Sequence, residues 1–184
     1  MRSFIAIDLN DEVKKAVEEL IFTLKAKCGN VKWVKPPNLH LTLKFLGEIS
    51  EEQLPGIKLA LQATAARHPV FHFQIQGSGT FPAGGRPRIL WVGIKAQPAL
   101  TQVYHDLEEE LSKLDFAREK RDFSPHLTIG RVRSATGLKP VLSEFEHWKD
   151  SGFGGVRVDS LVLYKSTLTP TGAVYSSMFK AGLS

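Results

Sequence analysis

The chain matches itself at a fixed spacing of 86 residues, and this self-similarity constrains its fold more than any other feature of the 184-residue sequence. Leu39-His40-Leu41-Thr42-Leu43 returns as Pro125-His126-Leu127-Thr128-Ile129. The same spacing lays Arg2-Ser3-Phe4-Ile5-Ala6-Ile7 on Arg88-Ile89-Leu90-Trp91-Val92-Gly93, and the strand-like run from Val70 on the one from Val156. Three correspondences in one register indicate an internally duplicated chain.

The segments between these anchors agree in type. Residues 12–27 carry apolar groups at Val13, Val17, Leu20, Ile21 and Leu24, and residues 99–114 carry them at Leu100, Val103, Tyr104, Leu107, Leu111 and Leu114. Both spacings predict amphipathic helices. A second helix is expected after Ser50, with Ser50 and Gln53 forming a capping box, and its counterpart runs from Pro140 to Trp148. Strands are expected at 70–76, 88–94, 156–164 and 174–180. The expectation is an α+β fold: residues 1–184 form a single domain of two pseudo-symmetric lobes. Two antiparallel-rich sheets face a central cleft with helices outside, and the lobe boundary lies near residues 77–87.

Side chains alternate along a strand, so Leu39, Leu41, Leu43 and Phe45 should share the core face while His40, Thr42 and Lys44 share the other. In the second copy Leu127 and Ile129 separate in the same way from His126 and Thr128. If the two polar faces meet across a cleft, they present two imidazoles and two hydroxyls. A neutral imidazole can take a proton while a protonated one gives it, which makes a complete acid–base pair near neutral pH. Threonine hydroxyls can bond phosphate oxygens as charge develops. Two histidines fall short of the usual zinc ligand set and no third candidate sits at suitable spacing, so neither a metal nor another cofactor is expected. A single His-x-Thr on a strand is commonly a half-buried sheet residue; its recurrence in register favours chemistry.

Composition narrows the partner. A net charge of +5 suits an anionic ligand such as RNA. The one cysteine, Cys28, excludes an intrachain disulfide and fits a reducing cytoplasm. Asp8 interrupts the first apolar run before a signal-peptide core could form, and no apolar stretch reaches membrane-spanning length. A monomer is the default expectation.

These motifs resemble those of the 2H phosphoesterases, named for two His-x-Thr-x segments, which stand here as His40-Leu41-Thr42-Leu43 and His126-Leu127-Thr128-Ile129. The segments 2–9, 33–40, 44–47 and 86–91 are similar to the RNA 2',3'-cyclic phosphodiesterase branch, also called 2'-5' RNA ligase, over nearly the full chain. The resemblance implies a bilobal fold and hydrolysis of a terminal 2',3'-cyclic phosphate to a 2'-phosphomonoester, with RNA ends, tRNA fragments among them, as partners. It implies His40 as proton donor to the leaving 3'-oxygen and His126 as proton acceptor from water, with Thr42 and Thr128 beside them. Resealing through a 2'-5' linkage, with a ribose hydroxyl in place of water, is a secondary activity it suggests. It also suggests a phosphate contact from Arg131, which a straight strand would turn to the core side with Leu127 and Ile129. A bulge or strand end at Gly130 would turn it back; a solvated arginine at a strand end is the alternative. A non-catalytic module that binds RNA ends is the competing reading of a different class. Other cyclic phosphates and 2'-5' oligonucleotides are competing substrates.

The remaining polar residues are read as scaffold. His68, His72, His105 and His147 lack partners at the repeat spacing and are expected at the surface or at edges. Glu108, Glu109 and Glu110 are expected on the wet face of their helix, and Trp33, Trp91 and Trp148 in the core, with stacking on nucleobases as the other use. Arg86 and Arg88 flank Pro87 in what reads as a hairpin connection that could also touch RNA.

Overall fold

A computed structural model describes every residue of the chain except Ala96 and Thr171. Nine strands and four α-helices are formed by the described residues: β1 (Arg2–Asp8), α1 (Asp11–Lys25), β2 (Val31–Trp33), β3 (His40–Glu48), α2 (Leu54–Ala65), β4 (Phe71–Phe81), β5 (Ile89–Ile94), α3 (Pro98–Ser112), β6 (His126–Val132), α4 (Leu138–Glu146), β7 (Gly152–Val158), β8 (Ser160–Thr169) and β9 (Gly172–Gly182). The strands make two antiparallel sheets, ordered β3-β1-β8-β9 and β2-β6-β5-β4-β7. Helix α1 lies against β7 and α4, and α2 against α3, β8 and β9. The fold is α+β, as the periodicities predict. None of the helices is long and apolar enough to cross a membrane among the described residues.

The apolar stripes explain the packing. Val13, Val17, Leu20, Ile21 and Leu24 are buried along one face of α1, whose first turn is capped by Asn10 accepting a bond from the Val13 amide (3.2 Å). Leu100, Val103, Leu107 and Leu111 do the same for α3. Both stripes enter one continuous core with Leu41 and Leu43 of β3 and Leu127 and Ile129 of β6. At α2 half of the expected capping box forms: the Ser50 amide donates to Gln53 (2.9 Å), but the Ser50 hydroxyl turns to Glu52. The helix therefore begins later, at Leu54, with Pro55 in its first turn.

The sheets do not follow the two halves of the chain. Strand β4, from the first half, pairs with β5 in the five-stranded sheet, while β8 and β9, from the second half, join β1 in the four-stranded one. Residues 77–87 accordingly run through the end of β4 and the β4–β5 hairpin, inside one sheet, rather than between lobes. The strand expected at 156–164 is two strands, because the chain turns at Asp159 from β7 in one sheet to β8 in the other.

Parity fails twice in β3, first at Leu43 and again, past Phe45, at Leu46. Ala6 of β1 faces Thr42 and Ile5 faces Lys44, which leaves Leu43 as an extra residue in a bulge. Beyond it the faces exchange. Lys44 turns with Ile5 toward the helices, and Phe45, expected in the core, lies opposite Phe4 and is 66% exposed. The same bulge recurs in β6 at the position equivalent by repeat: Trp91 faces Thr128 and Leu90 faces Gly130, leaving Ile129 unpaired.

The exchange explains a second departure. Glu108 is buried rather than wet, because Lys44 reaches across from β3 to form an ion pair at 2.7 Å and also donates to the carbonyl of Ala117 (2.6 Å). His68 is likewise buried, bonded to Asp106 at 2.8 Å, whereas His72, His105 and His147 are exposed as expected. Trp33 and Trp148 pack half-buried against the core.

Candidate active site

The two sheets come together where β3 and β6 approach within 8 Å between Cα atoms without pairing. Each strand begins with its histidine, so His40 and His126 open the two strands that line this junction. Register fixes their neighbours: Asp8 lies opposite His40, and Gly93 lies opposite His126. Cross-strand partners share a face, so the first imidazole has a carboxylate beside it and the second has no side chain there at all.

Both rings are tethered to the backbone two residues upstream. Nδ1 of His126 lies 2.7 Å from the carbonyl oxygen of Ser124. A carbonyl only accepts, so the neutral ring carries its hydrogen on Nδ1 and keeps Nε2 bare. The His40 ring bonds the backbone of Asn38, the residue equivalent to Ser124 by repeat. Aromatic side chains enclose each ring. Phe4 stacks on His40 at 4.7 Å with Tyr175 edge-on at 5.2 Å, and Phe81 stands edge-on to His126 at 5.0 Å with Trp91 at 6.4 Å.

This enclosure sets the electrostatics. Burial lowers the pKa of His40 from 6.5 to about 4; its bond to the Asn38 backbone and the charge of Asp8 act against that fall, while Lys14 adds to it. Without a ligand, His40 is therefore neutral at pH 7. Asp8 is in turn held by Tyr164, which donates its hydroxyl hydrogen to the carboxylate. The Tyr164 phenol is pushed well above its ordinary pKa by burial first and by this bond and charge second.

Thr42 and Thr128 are half-buried on the histidine face, opposite Ala6 and Trp91, and among the described residues neither hydroxyl has a protein partner. Arg131 joins them. The bulge at Ile129 turns it to the side of Ile89 and Trp91, which removes the conflict that straight-strand parity creates. Gly130 contributes in another way. A Cβ there would stand 2.8 Å from Val31 Cγ1 and 3.0 Å from Trp33 Cε3, so only glycine lets β2 lie against β6 at this point.

A cavity of about 440 Å³ opens beside His126, walled by Phe81, Trp91, Phe123, Gln76, Ser78 and Lys149. Trp91 thus lines the site rather than the core, and its ring rests on Gly79. Arg86 and Arg88 sit in the connection between β4 and β5. Among the described residues no three His, Cys, Asp or Glu side chains converge in a metal-binding group.

The residues missed by sequence reasoning are Asp8, Tyr164, Phe4 and Tyr175 around His40, and Phe81 and Phe123 beside His126. Asp8 left one trace. The repeat places Ile94 at its equivalent position, so the carboxylate is a local departure from the duplication.

The sequence model of the 2'-5' RNA ligase superfamily matches residues 10–169. An RNA 2',3'-cyclic phosphodiesterase of Thermotoga maritima is 38% identical over 182 residues, covering 98% of this chain and 94% of the relative. One of Archaeoglobus fulgidus is 37% identical over 178 residues, covering 97% and 98%. Among solved structures, a protein of Thermus thermophilus superposes with a TM-score of 0.84 at 29% identity, covering 100% of this chain and 98% of that one. The E. coli LigT complex with 3'-AMP superposes with a TM-score of 0.76 at 27% identity, covering 99% and 97%. A match spanning most of the sequence, together with relatives alike from end to end, means that the chain belongs to the 2'-5' RNA ligase superfamily.

Proposed function

We propose that the protein is an RNA 2',3'-cyclic phosphodiesterase that opens a terminal cyclic phosphate to a 2'-phosphomonoester by general acid–base catalysis. The observation that carries this reading is the pairing of two tethered histidines on strands that meet without hydrogen-bonding. The bare Nε2 of His126 takes a proton from water as the water oxygen bonds to phosphorus. The bond from phosphorus to the 3'-oxygen breaks, and His40 gives its proton to that oxygen. Thr42, Thr128 and Arg131 bind the non-bridging oxygens, where charge accumulates.

The asymmetry around the rings supports this order. Asp8 favours a proton on His40, whereas Gly93 offers His126 no such partner. Since burial leaves His40 neutral in the free protein, the acid form is acquired as the anionic phosphate arrives. Ligation follows the same path with a ribose hydroxyl replacing water. RNA ends with cyclic phosphates, tRNA fragments among them, are the substrates, and a cytoplasmic monomer fits the single exposed thiol of Cys28. The names of the Thermotoga and Archaeoglobus relatives support the substrate.

The test is hydrolysis of 2',3'-cyclic AMP by His40→Ala and His126→Ala, with circular dichroism to establish folding. Each variant should lose turnover while remaining folded. Full activity in either one overturns the acid–base pair.

A further inference from the structure

We infer that the edge of β3 beyond the histidine junction is a binding site for the single-stranded RNA that precedes the terminal nucleotide, with Phe45 as its stacking platform and Lys120 and Arg121 as its phosphate contacts. The inference rests on the reading of cyclic-phosphate RNA as the substrate.

The Leu43 bulge turns Phe45 to the face that carries His40 and Thr42, at the position equivalent by repeat to Arg131. Its ring lies 6.1 Å from that of Phe4 yet is 66% exposed, on a strand whose leucines are all buried. Phe45 also walls a second cavity of about 490 Å³, between Lys44, Phe45 and Leu46 of β3 and residues 116–121 of the loop that leads to His126.

Buried polar groups fix that loop to the strand. Lys44 bonds Glu108 at 2.7 Å and the Ala117 carbonyl at 2.6 Å, and the second oxygen of Glu108 accepts the Glu119 amide at 2.8 Å. Within residues 116–121 the one acid is spent on its own backbone: Glu119 accepts from the amides of Lys120 (2.9 Å) and Arg121 (3.3 Å), and Asp122 follows Arg121. Arg118 bonds the Ser112 hydroxyl at 3.2 Å. Lys120 and Arg121 are exposed, and among the described residues their charged groups have no partner.

An exposed aromatic face beside two unneutralised cations matches the alternation of bases and phosphates in a single strand, and it is tolerant of sequence because every base has a π-face. Phe4 lies between His40 and Phe45, its ring 4.7 Å from the one and 6.1 Å from the other, so the two outer rings stand within about 11 Å of each other. A nucleoside alone brings one base and no further phosphate, whereas Lys120 and Arg121 line the same cavity as Phe45 and call for phosphates beyond the cyclic one, so the occupant is the nucleotides before it.

Steady-state kinetics on two substrates test the inference: 2',3'-cyclic AMP, and a five-nucleotide RNA ending in the same group. Phe45→Ala, and separately Lys120→Ala with Arg121→Ala, should raise KM for the oligonucleotide at least about fivefold, the low end of what one base–aromatic stack contributes. kcat on the oligonucleotide and both constants on cyclic AMP should not change. An unaltered oligonucleotide KM, or an equal loss on both substrates, overturns the inference. If the wild-type protein turns over neither substrate, the reading of the reaction fails instead. Fluorescence anisotropy with a labelled five-nucleotide RNA then still decides the site, since Phe45→Ala must weaken binding for it to stand.

Discussion

If burial sets the proton affinity of His40, replacing it by asparagine removes an acid-labile group from the fold. The folded protein holds this ring at about 4 against an ordinary 6.5. Between these pH values the unfolded chain binds a proton that the folded one refuses, so the native state loses stability as the pH falls from about 6.5 toward 4. Integrated over that window, the one ring withdraws roughly 2 kcal/mol between pH 7 and pH 5, and roughly 3 kcal/mol by pH 4. Carboxylates add an acid dependence of their own, so the useful quantity is the difference between wild type and His40→Asn. Urea unfolding of both proteins at pH 7, 6, 5 and 4.5 measures it. Their stabilities should converge on acidification, or cross, with the wild type losing more. Parallel loss at every pH would refute the reasoning, because it would mean that His40 titrates alike in the folded and unfolded chains.

Three other outcomes follow from the same geometry. Asp8→Asn removes the carboxylate that favours a proton on His40; kcat/KM at pH 7 should fall about tenfold, and the acid limb of the pH–rate profile should move down by about one unit with the alkaline limb unmoved. A uniform loss at all pH values would show a merely structural role for Asp8. Gly79→Ala places a methyl group 2.7 Å from Cη2 of Trp91, so thermal unfolding should report a loss of about 1–3 kcal/mol, and Trp91→Leu in the same chain should restore much of it. Lys44→Met strands Glu108 in the interior, and urea unfolding should show a loss of about 3 kcal/mol or more, whereas Lys44→Met with Glu108→Leu should be milder.

The element types were legible because duplication supplied two readings of each, and the helix stripes of α1 and α3 and the strands around His40 and His126 lie where periodicity places them. Two features were not legible, for one physical reason each. The bulge at Leu43 has no glycine or proline beside it to announce it, whereas Gly130 adjoins the one at Ile129, and one uncounted residue reverses the side chains up to the next shift. That single slip sends Phe45 to the core and Lys44 to solvent on paper, and with Lys44 misplaced nothing could call Glu108 inward. For Arg131 straight-strand parity pointed to the core side, and Gly130 already marked a bulge as one way to turn it back. The exchange of β4 and β8 between sheets was hidden because pairing is decided between residues far apart in sequence, and periodicity reports only which face of a strand is apolar. Tyr164 was out of reach for the same reason: it lies 156 positions from the Asp8 it holds.

The crossing of β4 and β8 bears on how such a chain can be divided. A half-length chain would keep its first two long strands together but would have to lend the third to another molecule, so it could complete its sheets only as an intertwined pair with a two-fold axis between the histidines. Two such histidines would be chemically identical, and neither could specialise in giving or taking a proton. Joining the halves end to end breaks that equivalence, and a carboxylate can then stand opposite one ring while glycine stands opposite the other.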